Sequence, residues 1–326
     1  MNPTDQEQVP SEAAPLLNPP KRCSPDQERK RELLGFLVMA SGAICFALVS
    51  LFVKLAAKRF ESMEIVFFRS LCQMILGLLG CASLRLNPFG KSGQRSLIFY
   101  RALTGSVALA FFFYSITKLP ISVATVLFFL NPIFASILAR IFLGEEFLLF
   151  DACAALIALA GVFLVSNRYG PSPDEGLAPT RAFPILCGIL AAFLSSIACV
   201  IVRKMGTSVH FLVHVFNFGI VSTIFSSVAM FWEDIRMPHG SDWIVLLSIG
   251  IFAFLGQCQW NLGMQLAPAG PALIIGLSDV LYAFLFDIFL FNDAPTPLRI
   301  LGAVFIVGST VGIALKRLLK KNRDAL

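Results

Sequence analysis

The chain has 326 residues, of which 57% are hydrophobic and only 14% charged, with a mean hydropathy of +0.78. A soluble domain carries about 25% charge, so this composition excludes a chain built around one water-soluble core, and the long apolar blocks point to a membrane protein. The net charge of +6 gives no reason to expect nucleic acid, because the basic residues lie beside the apolar blocks, where they set orientation.

Residues 1–32 are rich in Pro, Glu, Gln, Ser and Lys and are expected to form a disordered cytoplasmic tail. Within it, Glu12-Ala13-Ala14-Pro15-Leu16-Leu17 fits an acidic dileucine sorting pattern, with Glu12, Leu16 and Leu17 as its carriers. Such a signal works only from the cytoplasm, and so short a string also arises by chance. No apolar h-region precedes the first block, so that block is expected to serve as both signal and anchor.

Ten apolar blocks follow, near 33–55, 62–84, 96–117, 121–142, 147–166, 183–203, 210–232, 242–265, 271–291 and 297–316. Each approaches the ~20 residues that cross the hydrocarbon core as a helix. Lipid offers backbone groups no partners, so helices are required. Block length and the lack of alternation exclude a barrel. The predicted fold class is an all-α membrane protein of ten transmembrane helices. Ten spans put both termini on one side. With that side cytoplasmic, fifteen Lys and Arg fall on inner segments and six on outer loops, which favours this orientation. The membrane is the plasma membrane or an endomembrane, either endosomal and lysosomal or secretory.

The chain repeats itself. Residues 119–161 align without a gap on residues 147 positions later: Leu119 on Leu266, Leu130 on Leu277, Ile141-Phe142-Leu143 on Ile288-Phe289-Leu290, Gly161 on Gly308. The predicted organisation is a first five-helix repeat at 33–166, a linker at 167–182, a second repeat at 183–316 and a basic cytoplasmic tail at 317–326. Five is odd, so the second copy is inverted, a design that puts the site near midplane where the halves meet.

Ionisable residues inside spans are costly and are functional candidates by default: Glu64, Arg69, Arg101, Arg140, His210, His214, Asp279 and Asp287. Lys54 and Lys118 lie near helix ends, within reach of the interface by snorkelling. Arg69 and Gln73 share a helix face. Guanidinium groups match carboxylate and phosphate with a planar fork, so Arg69 and Arg101 pointing inward suit an anionic substrate. For Arg101 a reach to the cytoplasmic headgroups is the competing reading. Asp279, near the middle of its span, either binds a coupling proton or neutralises an arginine; Glu64 is a second coupling or charge-pair candidate. Arg140 and Asp287 occupy matching positions as a structural pair.

His210, His214 and Asn217 form a polar stripe on the seventh span, and Gln257 and Asn261 another on the eighth. The stripes line a cavity or hydrogen-bond between helices. Two histidines alone do not make a metal site, and no metal or cofactor is expected. Cysteines lie mostly inside apolar blocks without a C-x-x-C, as buried thiols. Pro132 and Pro271 free backbone carbonyls, for gating or for packing. Walker, G-x-S-x-G and H-E-x-x-H strings are absent, so no enzyme is expected and transport would be secondary.

Pro132, Gly144-Glu145, Asp151 and Gly161 in the first half, with Gly256-Gln257, Pro271, Gly302 and Gly308 in the second, resemble the drug/metabolite transporter superfamily and its EamA-type repeat. The G subfamily of the solute-carrier-35 group is closer still. It is suggested by Ser50-Leu51-Phe52-Val53-Lys54, Phe68-Arg69 with Gln73-Met74, Gly93-Gln94-Arg95 with Arg101 and Gly105-Ser106, and Arg203-Lys204-Met205-Gly206. Ala269-Gly270-Pro271, Asp279-Val280 with Ala283-Phe284, and Phe291-Asn292 with Pro295-Thr296 continue the match. Asn292-Asp293 departs from it, standing where the first half has Glu145-Glu146. The resemblance implies two inverted repeats and a secondary transporter of a small organic anion or metabolite, a carboxylate such as citrate or a nucleotide sugar. A proton or counter-anion is the implied coupling partner, and monomer and homodimer both stand open. The alternative is a non-transporting membrane regulator or interaction protein.

Overall fold

The computed structural model describes residues 25–119, 121–145, 149–166, 182–230, 236–291 and 296–324. The dileucine string Glu12 to Leu17 and the 167–181 part of the linker lie outside them. Twelve α-helices are described: α1 (Pro25–Ala56), α2 (Ser62–Ser83), α3 (Arg95–Lys118), α4 (Ile121–Phe128), α5 (Asn131–Leu143), α6 (Leu149–Ser166), α7 (Ala182–Met205), α8 (Phe211–Met230), α9 (Asp242–Leu266), α10 (Ala269–Gly276), α11 (Ser278–Phe291) and α12 (Pro297–Asp324). They make ten apolar spans, each long enough to cross a bilayer. The end of the bundle where α1 begins and α12 ends is called the termini face below.

Two spans expected as single helices are broken. The fourth is α4 plus α5 and the ninth is α10 plus α11, and the breaks fall at Leu130 and Leu277, the same 147-residue offset that relates the halves. Their causes differ. Asn131-Pro132 opens α5, and proline has no N–H to give the preceding turn. The second break has no proline. There Ser278 Oγ donates to the Ile275 carbonyl at 2.7 Å, so a side chain competes with the backbone ladder and a new helix starts at Ser278-Asp279. Pro271 instead lies in the first turn of α10, where a missing N–H costs no intrahelical bond.

The halves interlock. α1 packs on α9 and α7 on α3, while α2 pairs with α8, α6 with α12 and α5 with α10. Taken span by span, with α5–α10 counted as the fourth span on the ninth, exchanging the two halves maps this set of pairings onto itself, as an inverted repeat requires. Lipid gives helices no hydrophobic reason to associate, so close backbone approach at small residues carries the packing. At the α6–α12 crossing, a Cβ on Gly161 would lie 2.7 Å from the Gly302 carbonyl oxygen, and one on Gly302 equally near the Gly161 oxygen. Two residues of the apolar string shared by the repeats face outward in each, Ile141 and Phe142 in the first and Phe289 and Leu290 in the second, all more than half exposed, a surface suited to lipid, while Leu143 and Ile288 pack inward.

Candidate functional site

The polar interior is built from α2, α3, α8 and α9. Arg101 enters from α3 and is 5% exposed, so its guanidinium lies within the bundle, not out among headgroups. Nη2 donates to Asn261 Oδ1 at 2.9 Å and Nη1 to the His214 carbonyl at 3.4 Å. The guanidinium carbon lies 5.0 Å from the centre of the Phe218 ring. Gly105, one turn after Arg101, makes room for that ring: a Cβ there would be 3.3 Å from it. Asn261 Nδ2 donates to the Gln257 carbonyl at 2.6 Å. Arg101, His214, Gln257 and Asn261 thus meet in one cluster, although Arg101 and Asn261 are 160 residues apart.

The cluster is left incomplete by its own chain. Arg101 Nε and both ring nitrogens of His214 are buried without a hydrogen-bond partner among the described residues, and no described carboxylate pairs with Arg101. A buried charge without a counter-charge costs several kcal/mol, roughly, and orphaned buried donors are rare in folded chains. An oxyanion would satisfy both.

Arg69 lies on α2 between two packed faces. Ser70 Oγ donates to Ser222 Oγ of α8 at 2.9 Å, and Ile65 packs with Ile249 and Ala253 of α9. Arg69 Nε is buried with no partner among the described residues. One turn on, fully buried Gln73 donates Nε2 to the Ala253 carbonyl at 3.0 Å and leaves Oε1 unsatisfied. Asp279 sits in the first turn of α11, just past the break, with Oδ1 buried and unpartnered. No ion pair joins it to Arg69 or Arg101 among the described residues. A cleft of about 50 Å³ opens between α2, α3 and α8, lined by Ser106, Ser222 and Ser226 among others. It is too small for a metabolite.

Other candidates are placed elsewhere. Glu64 is fully buried, but both its oxygens are engaged: Oε2 accepts the Glu61 N–H at 3.0 Å in a capping box and Oε1 accepts the Arg236 N–H at 2.5 Å. Asn217 turns to the α2–α3 loop, donating Nδ2 to the Pro88 and Val213 carbonyls, each at 2.8 Å. His210 precedes α8, and its Nδ1 accepts the Leu212 N–H at 3.3 Å. Arg140 is exposed, and the Asp287 side chain lies outside the described residues. Pro132 stands at the α4–α5 break, where the Asn131 carbonyl accepts Ser196 Oγ at 2.9 Å.

Sequence reasoning missed the polar ties between helices at the two ends. On the termini face, Glu145 Oε1 accepts Arg203 Nε at 2.7 Å and Oε2 accepts the Ala269 N–H at 3.1 Å, while Arg203 Nη1 donates to the Gln265 carbonyl at 3.2 Å. This ties the end of α5 to α7, α9 and the start of α10, across the two halves. On the opposite face, Arg59 pairs with Asp242 at 2.8 Å, and Arg236 Nη1 donates to the Arg59 carbonyl. Charge beside span ends was the available signal, and it reads equally well as orientation.

The sequence model of the EamA-like transporter family matches residues 33–167 and again 182–315. The chain is similar to mouse and human proteins named solute carrier family 35 member G1. The mouse protein is 32% identical over 316 residues, covering 93% of this chain and 84% of that one; the human protein is 32% identical over 310 residues, covering 91% and 83%. A Helicobacter pylori protein described as an uncharacterized transporter is 29% identical, over 90% of this chain and 98% of its own. A solved crystal structure superposes with a TM-score of 0.75 at 18% identity, covering 88% of this chain and 98% of that one, a likeness of fold.

Proposed function

Because the chain belongs to the EamA-like transporter family, we propose that it carries a small organic anion across its membrane by alternating access, with the Arg101 cluster as an anion-binding centre. It is a multi-pass membrane transporter by family, not an enzyme. The observation that supports an anion is Arg101 itself: a buried guanidinium with an unsatisfied Nε, held by Asn261 and the His214 carbonyl, and no described counter-charge. Its planar fork suits a carboxylate or phosphate, and Gln257 and Asn261 suit substrate hydroxyls. A carboxylate such as citrate and a nucleotide sugar both meet this chemistry.

Arg69 and Gln73 belong to the same pathway. Asp279 is the coupling group, since a carboxylate beside a helix break, with one oxygen unsatisfied, is placed to take up a proton as the halves move. The breaks at Leu130 and Leu277 are the flexible points, with Pro132 at the first and Pro271 anchoring the segment before the second. The polar ties at the two ends act as closures, and Glu64 acts through the one opposite the termini face by holding the Arg236 N–H. The termini face is cytoplasmic, the side from which a dileucine string is read by sorting machinery at the plasma membrane or an endomembrane.

Thermal unfolding of the purified chain against a panel of carboxylates and nucleotide sugars tests this reading. A transported anion raises the melting temperature of the wild type and fails to raise that of Arg101→Gln. No stabilisation by any panel member, or equal stabilisation of the variant, removes the Arg101 site.

A further inference from the structure

Arg69 and Arg101 stand at different depths, and the register of the helices around them shows by how much. Ser70 of α2 meets Ser222 of α8. A Cβ on Gly219 would lie 2.7 Å from the Met74 nitrogen, and one on Gly77 would lie 3.0 Å from the Phe216 Cα. The two helices therefore run antiparallel in step. His214 is eight residues from Ser222 toward the termini face, on the order of 12 Å at 1.5 Å per residue. The Arg101 guanidinium is bonded at that His214 level. α9 gives the same order independently: Gly250 faces the Cys72 side chain, and Asn261, which holds Arg101, is eleven residues farther toward the termini face, about 16 Å. Arg69 lies on the other side of these levels. Helical side chains lean toward their own N-terminus, and α2 begins at the opposite face, so Arg69 points away from Arg101.

One carboxylate or phosphate group cannot be held by both arginines across such a gap. Between their levels, Gln73 of α2 is bonded to the Ala253 carbonyl of α9. Resting on the anion-transport reading above, we propose that the pathway holds two separate oxyanion stations, Arg69 with Gln73 toward the opposite face and Arg101 with His214 and Asn261 toward the termini face. The first station has its own chemistry. Arg69 Nε is a buried donor without a partner, and Gln73 Oε1, one helical turn on, is a buried acceptor without one. A donor and an acceptor spaced by one turn, roughly 5–6 Å between Cβ atoms, fit an oxyanion that carries a hydroxyl nearby. A hydroxycarboxylate and a sugar phosphate both have that arrangement. The anion arriving from the opposite face meets Arg69 first and passes to Arg101 as the Gln73 bond yields.

A carrier with one shared site loses affinity from both faces when that site is damaged; two stations are damaged one face at a time. The experiment measures half-saturation for uptake separately from each face of oriented proteoliposomes, with citrate in one arm and a nucleoside diphosphate sugar in the other. Arg69→Gln raises the half-saturation about tenfold from the opposite face and leaves the termini-face value unchanged; Arg101→Gln does the reverse. Arg69→Lys, which keeps the charge but not the fork, falls between and serves where Arg69→Gln does not fold. The arm that shows flux identifies the oxyanion as carboxylate or phosphate. Equal losses from both faces with Arg69→Gln, or none from either, overturn the two stations while leaving anion transport standing. No wild-type flux in either arm overturns both.

Discussion

Glu145→Gln removes one charge from the termini-face closure and almost no volume. Glu145 Oε1 lies 2.7 Å from Arg203 Nε, and Oε2 accepts the Ala269 N–H at 3.1 Å. The Glu145 and Arg203 side chains are 19% and 24% exposed, so water screens the pair in part. Fully exposed pairs contribute about 0–1 kcal/mol and hydrogen bonds to charged groups about 1.5–3 kcal/mol; a partly exposed, well-aligned pair falls near 1–2 kcal/mol. That weakening multiplies the population open at the termini face roughly 5–30-fold. Ala272, buried one turn into α10 behind the closure, is the reporter site. Ala272→Cys, with other reactive cysteines replaced, is labelled by a membrane-impermeant maleimide from the termini face. The labelling rate rises by roughly the same factor in Glu145→Gln. An unchanged rate in both Glu145→Gln and Arg203→Gln refutes the assignment of this network as the closure.

Three further substitutions separate packing from transport. Gly161→Val drives a side chain against the Gly302 carbonyl and costs about 1–3 kcal/mol of overpacking, read as a lower melting temperature in detergent; an unchanged melt contradicts the tight α6–α12 crossing. Asn217→Ala loses the bonds to Pro88 and Val213, costs about 1 kcal/mol, and keeps the half-saturation of the wild type. A raised half-saturation would return Asn217 to the substrate. Asp279→Asn abolishes the response of uptake to a proton gradient while substrate exchange persists; a full response in the variant removes Asp279 from coupling.

The spans were legible because the hydrocarbon core imposes a length and forbids unpaired backbone, so ten apolar blocks became ten spans. The breaks were half legible. Asn131-Pro132 announces one through the missing N–H, but Ser278-Asp279 breaks the other through a hydroxyl bond to Ile275, a choice of partner that the residue types alone do not announce. Helical spacing revealed the polar stripes and not their aim. Asn217 follows His214 on α8, yet its amide is taken by the Pro88 carbonyl, which arrives from a loop 129 residues away. Glu64 reads as an intramembrane acid, but it opens a helix, and capping occupies it. The depths of Arg69 and Arg101 follow from which residues of α2, α8 and α9 touch, a register that no single helix encodes.

Uptake of a labelled organic anion into proteoliposomes, by wild type and by Arg101→Lys side by side, tests anion transport through the Arg101 cluster most directly. Lysine keeps the charge but loses the fork that binds Asn261 and the His214 carbonyl together. The account predicts saturable flux well above empty liposomes for the wild type and a loss of about tenfold or more in the variant. Wild-type flux of citrate and nucleotide sugars no greater than that of empty liposomes, or undiminished flux through Arg101→Lys, would contradict it.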